Sequence, residues 1–451
     1  MNIPLAIFFF LIYFIVVVAI GIYQSRHESE EGFMMADRQV HGSQLVATLS
    51  AGFFDGATLG IYTAYVYQYG FSAIWFFAGT ILGFVLLFKY SPRIKSKADE
   101  FGVYSMSEYF YRVFDKKNGI LFSVFLLINY LSLLAVNLII AGKIFSAVFP
   151  VSYTAGVVVG GVVILSYLLL AGFNAVIKTD FFQLLIMFLM TFTVGAVLLG
   201  KSAVTISDLT IFNIPSGDAI AFLVIGSLLV FIDPSVWQRM FAAKDEKSLR
   251  HSLLFAPIVL FILGLVVSVV GLVTKEFFPS ILPENALVVG FTNLLPLGFK
   301  ELGIVLLYAV SLSSSDTITF VISSIFTRDL KNYTRRFSEE SMKKLSRVFM
   351  VLSVLVVIFV ATIYQDIITL GFSLSGVIIA IVPVALGSLY WKLNNEAVFY
   401  SLLLGLATIV ILLATNNVTP QTVIYSFPVT LISLLVFHLI AKASARVAKT
   451  N

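Results

Sequence analysis

The 451-residue chain contains no cysteine, which excludes disulfides and thiolate metal sites. Charge is scarce as well. Asp, Glu, Lys and Arg make up 12% of the residues, against about 25% in soluble domains. With 59% hydrophobic residues, no sizeable soluble domain is possible, and the chain reads as an integral membrane protein. The four histidines, His27, His41, His251 and His438, are scattered, with none at a metalloenzyme spacing. No glycine-rich phosphate loop in a soluble setting and no nucleophile–base arrangement is visible, so neither ATP-driven transport nor enzyme chemistry fits. The net charge of +5 reflects basic loops between apolar stretches. It marks membrane orientation, not a nucleic-acid partner.

What the chain has in abundance is apolar stretches of spanning length, about 20 residues each. Thirteen are expected: 4–23, 43–69, 71–90, 119–149, 152–172, 176–200, 218–236, 251–274, 300–327, 347–364, 367–390, 396–415 and 420–441. The first has no basic leader and no cleavage site, so it reads as a span and not a signal peptide. Of the 29 Lys and Arg, all but Lys143, Lys201, Lys275 and Lys300 lie in or beside loops after odd-numbered stretches, or in the tail. The positive-inside rule then places the N-terminus outside and the C-terminus in the cytoplasm of a multi-pass plasma-membrane protein. Lys143, inside the fourth stretch, is expected to snorkel.

Two stretches look broken. The second reads Ser50-Ala51-Gly52-Phe53-Phe54-Asp55-Gly56-Ala57-Thr58-Leu59-Gly60, and the seventh runs through Gly226-Ser227 to Asp233-Pro234. Proline removes a donor and disfavours helix at the residue before it. Paired interrupted helices in two halves of opposite orientation point to a secondary transporter. The expected fold is all-α: a leading helix over 4–23, a five-plus-five inverted-repeat core over 43–200 and 218–390, and two additional helices over 396–441. A packing reading stands beside it, since Gly52, Gly56 and Gly60 also form a small-xxx-small ridge.

Asp55, Asp180, Asp233 and Asp316 fall in or at the ends of apolar stretches. A carboxylate at the bilayer centre costs about 2.5–3.5 kcal/mol on insertion scales, so each needs a cation, a proton or a partner. Asp233 reads as structural, partnering Arg239. The ninth stretch carries Ser311-Leu312-Ser313-Ser314-Ser315-Asp316-Thr317, several hydroxyls and an acid within two turns. Hydroxyls that bond back to their own helix explain a single serine well. Carbonyls freed in a broken helix, at Phe53 and Gly56, add the oxygen ligands that a small hard cation wants.

These residues resemble the sodium:solute symporter family. Gly172-Phe173-Asn174-Ala175-Val176-Ile177-Lys178-Thr179-Asp180-Phe181-Phe182-Gln183 looks like its signature. Ser313 to Thr317, then Ser323-Ser324 and Arg328-Asp329-Leu330, is similar to its cation-site helix, and Asp233 with Trp237-Gln238-Arg239 to the helix opening its second repeat. The resemblance implies a sodium site from backbone oxygens of Phe53, Gly56 and Val310 with hydroxyls of Ser313 and Ser314. It implies a second sodium site, found in some members, from Asp180, Ser313 and Thr317, with Asp316 adjacent. Asp180 also reads as a solvated cap, two residues after Lys178.

Polar groups for a solute are sparse: Ser50, Asp55, Thr58, Asn137 and Ser227, with Phe231 as a gating aromatic. Asp55 resembles an acid of the proline-carrying branch. Few partners disfavour a sugar, whose hydroxyls must each be paired. Phe71, Trp75 and Phe76 read as interfacial anchors. The expected function is sodium-coupled uptake of a small organic solute, an amino acid such as proline or an organic acid. It would work as a monomer in lipid, with sodium co-transported and no organic cofactor. A proton-coupled carrier and a solute sensor on the same fold are the alternatives.

Overall fold

The computed structural model describes residues 2–24, 36–169, 173–201, 204–205, 208–333 and 338–450. Gly172, and the side chains of Lys178, Thr179, Ser313 and Arg328-Asp329-Leu330, lie outside the described residues. Among the described residues all regular elements are helices. Those of eight residues or more are α1 (Ile3–Gln24), α2 (Gly42–Phe53), α3 (Gly56–Tyr69), α4 (Trp75–Phe101), α5 (Met106–Val113), α6 (Lys116–Val148), α7 (Tyr153–Leu168), α8 (Phe173–Leu199) and α9 (Ser216–Ile232). There follow α10 (Pro234–Ala242), α11 (Glu246–Phe277), α12 (Phe299–Tyr333), α13 (Glu339–Ile363), α14 (Ile367–Ile379), α15 (Val382–Tyr390), α16 (Asn395–Ala414) and α17 (Ser426–Thr450). By length and composition, eight helices in the described residues can cross a membrane, or nine if the bent pair α9–α10 is one span.

Burial orders these helices from centre to rim. The apolar window of α12 is 94% buried, while those of α16 and the final helix are 33% and 22% buried. α12 is therefore the central post, packed by α1, α6, α8 and α13. Its hydroxyl-rich composition is tolerable only there, because lipid offers no hydrogen bonds. At the rim, Ile15, Val162, Phe359, Ile363 and Leu439 are exposed, the apolar surface that a hydrocarbon solvent requires.

Glycine brings α4 and α9 into backbone contact. A Cβ on Gly226 would lie 2.3 Å from the Phe76 carbonyl oxygen, and one on Gly79 2.3 Å from that of Leu223. Gly226 is thus a packing glycine within an intact α9, not part of the break expected there. The break falls at Asp233-Pro234, where the pair bends by 43°. A short parallel bridge between Val40 and Ala243 ties the entry to α2 to the exit from α10. Lys143 Nζ meets Glu284 Oε1 at 3.1 Å and Asn285 Oδ1 at 3.3 Å, with both members of the ion pair partly exposed. A partner within reach satisfies the ammonium where it stands.

Candidate functional site

The first break is made by two residues. Phe54 leaves helical geometry at φ −95°, ψ 61°, ending α2. Asp55 is extended and its Oδ1 accepts the Thr58 N–H at 2.7 Å, capping α3. Asn137 of α6 clamps the gap. Its Nδ2 donates to Asp55 Oδ2 at 2.9 Å, and its Oδ1 accepts the Ala57 N–H at 2.9 Å. Helix ends leave donors and acceptors open, and here one buried amide and one buried acid close them.

The second break is capped the same way. Pro234 opens α10 at a position where its missing donor costs nothing. Asp233 Oδ1 accepts the N–H of Ser235 at 2.8 Å and of Val236 at 3.0 Å, the Ser235 hydroxyl at 2.6 Å and the Tyr130 hydroxyl at 3.1 Å. Asp233 does not partner Arg239, correcting the expectation. The two lie at opposite ends of α10, about 9 Å apart along its axis at 1.5 Å per residue, and Asp233 is engaged in capping.

Arg239 instead pairs with Asp180. Its Nη2 lies 3.0 Å from Asp180 Oδ2, with each side chain 1% exposed. Arg239 Nε donates to Thr48 Oγ1 at 2.7 Å and Nη2 to Thr317 Oγ1 at 3.3 Å, while the Thr48 hydroxyl donates to Asp180 Oδ2. Asp180 is thus buried within a four-helix junction and is not a solvated cap. Its Oδ1 accepts no hydrogen bond from any described residue.

α12 passes directly against the first break. A Cβ on Gly56 would fall 2.5 Å from Ser311 Oγ and 2.7 Å from Ser311 Cα, so glycine alone lets α3 begin here. Three residues on, and therefore on the same face, Ser314 Oγ donates to the Ala51 carbonyl at 3.2 Å. The unwound segment and the hydroxyl face of α12 are in contact. Ser311 and Ser315 bond back to the carbonyls of Leu307 and Ser311, each at 2.9 Å. Val310 is buried beside them. Asp316 accepts from the Thr317 N–H. Successive helical residues point about 100° apart, so Asp316 is turned away from Arg239, which Thr317 meets.

Between the two breaks lies a cavity of about 120 Å³. Of the expected solute residues, Asp55 and Thr58 line it, as does Phe53 of the expected cation set. Asn137, Ser227 and Phe231 are not among its lining residues. Asn137 is the clamp just described, the Ser227 hydroxyl bonds to the Val224 carbonyl at 3.0 Å, and Phe231 packs edge-on to Tyr90 at 5.9 Å. Ser50 is fully buried, its hydroxyl without a partner among the described residues, and it too stands off the lining. Phe76, expected as an interfacial anchor, is in the wall. Sequence reasoning missed Asp233, Tyr65, Phe222 and Phe372. The signal for Tyr65 was available: Thr58, Ile61, Tyr62 and Tyr65 recur at helical spacing on one face of α3.

This arrangement can be set beside known proteins. The model of the sodium:solute symporter family matches residues 33–405. An osmoregulated proline transporter of Bacillus subtilis is 25% identical, over 98% of this chain and 95% of that protein. A sodium/proline symporter of Staphylococcus aureus is 27% identical, over 84% of this chain and 80% of that protein. In fold, the chain is similar to a substrate-bound, outward-open Na+-coupled sialic acid symporter, with a TM-score of 0.80, 16% identity and 97% of each chain covered. Two broken helices around a cavity, one braced on a hydroxyl-bearing helix, thus sit in a chain matched along most of its length, and the protein belongs to the sodium:solute symporter family.

Proposed function

We propose that this symporter couples inward sodium movement to uptake of a small organic solute, an amino acid such as proline or an organic acid, by alternating access. The observation carrying this reading is the contact of Gly56 with Ser311 and of Ser314 with Ala51. That contact supports an ion site shared between the broken helix and the hydroxyl face of α12. The proposed sodium ligands are the carbonyls of Phe53, Gly56 and Val310 and the hydroxyls of Ser313 and Ser314. The solute occupies the cavity between the breaks. Residues 43–200 and 218–390 form two inverted repeats that rock about it in a monomer, with the N-terminus outside. The relatives named for proline support the amino-acid half of the reading.

The proposed second sodium site at Asp180, Ser313, Asp316 and Thr317 meets a resident cation. Arg239 already neutralises Asp180, so a second ion feels little net attraction until that pair opens. Moving one charge down 100 mV supplies about 2.3 kcal/mol, and a tenfold sodium gradient adds about 1.4 kcal/mol. One ion therefore supports a solute gradient of several hundredfold.

Uptake into proteoliposomes tests the reading. A sodium gradient is expected to drive accumulation, and potassium at fixed pH is not. Ser313→Ala with Ser314→Ala is expected to raise the half-saturating sodium concentration about tenfold or more. Uptake that ignores sodium and follows a pH gradient would replace this reading with proton coupling.

A further inference from the structure

The cavity carries one sign of charge. Asp55 and Asp233 both line it, and no Lys, Arg or His is among its described lining residues. In transporters with broken helices, the half-helix N-termini are positive ends that receive an anionic group of the solute. Here both are closed from within. The Thr58 N–H is held by Asp55 and that of Ala57 by Asn137. On α10, the N–H groups of Ser235 and Val236 are held by Asp233, and Pro234 has none to offer. Each helix end is already capped by a carboxyl group of the chain itself.

The geometry points to a solute bearing a protonated or quaternary ammonium group, seated between Asp55 and Asp233, with no net negative charge. This rests on the cavity being the solute site, and it removes the organic-acid half of that proposal. Asp233 bonds only through Oδ1, so Oδ2 remains available among the described residues to meet an ammonium. The far wall suits the same chemistry. Tyr65 is sandwiched between Phe222 at 4.7 Å and Phe372 at 5.2 Å, both stacked. These stacked rings make that wall apolar, suited to the carbon body of the solute and not to a second charge. An anionic solute would be buried beside two carboxylates with no cation of the protein to meet it, an arrangement strongly disfavoured in a low dielectric.

The test uses the intact protein in sodium, with choline against its uncharged carbon isostere 3,3-dimethylbutan-1-ol, pyrrolidine against tetrahydrofuran, then proline and lactate. Thermal unfolding reads binding, because a ligand of the folded state raises the transition, and proteoliposome uptake reads transport. At least one ammonium compound is expected to stabilise and be taken up while its neutral partner and lactate do nothing. Asp233→Asn keeps a capping oxygen, asparagine being as good an N-cap. It is expected to weaken that compound's binding about thirtyfold without moving the unliganded transition. Should the variant not fold, the wild-type ligand pairs decide alone. The inference fails if neutral or anionic probes bind and ammonium probes do not, or if raising sodium weakens ammonium binding, since the carboxylates would then hold the metal. In either case sodium-driven uptake still upholds symport. If sodium neither stabilises the protein nor drives any probe, symport fails, and the inference with it.

Discussion

Arg239 and Asp180 form a buried ion pair at 3.0 Å that joins the short helix after the second break to α8. Thr48 and Thr317 bind the same guanidinium, so one side chain links α2, α8, α10 and α12. Removing one member of such a pair leaves an uncompensated charge and costs about 3–5 kcal/mol, whereas replacing both by apolar residues is often near neutral. Arg239→Met is therefore expected to lower the thermal transition of the purified protein sharply. Arg239→Met with Asp180→Leu is expected to recover most of the loss. A double variant no more stable than Arg239→Met alone would show that the pair is not what holds the junction.

The contact of Gly56 with Ser311 predicts a graded glycine series. At Gly56 an added Cβ meets the Ser311 main chain at 2.7 Å, and at Gly60 it meets the tip of Ile140 at 2.6 Å. Backbone does not give way, but the end of a flexible side chain does. Gly56→Ala is expected to push α3 off α12 and raise the sodium concentration for half-maximal uptake about tenfold or more. Gly60→Ala is expected to change it less than about threefold. Equal effects would mean that close approach at the break does not set the cation site.

The α4–α9 contact is a separate, structural case. A Cβ added at Gly79 or at Gly226 would lie 2.3 Å from a carbonyl oxygen, and overpacking of this kind typically costs about 1–3 kcal/mol or more. Gly226→Ala is expected to lower the thermal transition by the same amount with and without sodium. A loss appearing only in sodium would tie Gly226 to the cation site instead.

Much of this was legible in the chain, for physical reasons. Asp55 and Asp233-Pro234 announced the breaks because an acid, or a proline after an acid, is intolerable in a spanning helix unless it caps one. The run from Ser311 to Thr317 announced a hydroxyl-bearing helix that lipid would not solvate, though only the packing showed α12 to be the central post. What stayed hidden was pairing across the sequence. Nothing in local spacing tells Arg239 to choose Asp180, 59 positions away, over Asp233 on its own helix. Gly226 was read as a break because glycine serves close packing and interrupted helix alike, and only the neighbouring Phe76 carbonyl separates the two. Asn137 looked like a solute contact because a buried amide in lipid signals some obligatory partner, without saying which.

Asn137 yields the last prediction, and the structure makes it a positioning residue. Its side chain is fully buried, with Oδ1 on the Ala57 N–H and Nδ2 on Asp55 Oδ2 and the Leu133 carbonyl. Asn137→Ala would strand a buried donor and leave a buried carboxylate short of one, each worth about 1–3 kcal/mol. If Asn137 acts only through the break, the loss is present without any solute, and the variant's thermal transition falls by a similar amount in sodium with and without ligand. If the amide touched the solute, the unliganded protein would change less and the ligand-induced shift would shrink most. Asn137→Asp separates the roles further. It keeps the acceptor for Ala57 but sets a second carboxylate 2.9 Å from the first, and like charges that close resist joint ionisation. That variant is expected to show a steeper pH dependence of stability than the wild type, less stable at high pH where both acids must be charged. A flat difference between pH 5 and 8 would show that residue 137 does not sit against Asp55 in the working protein.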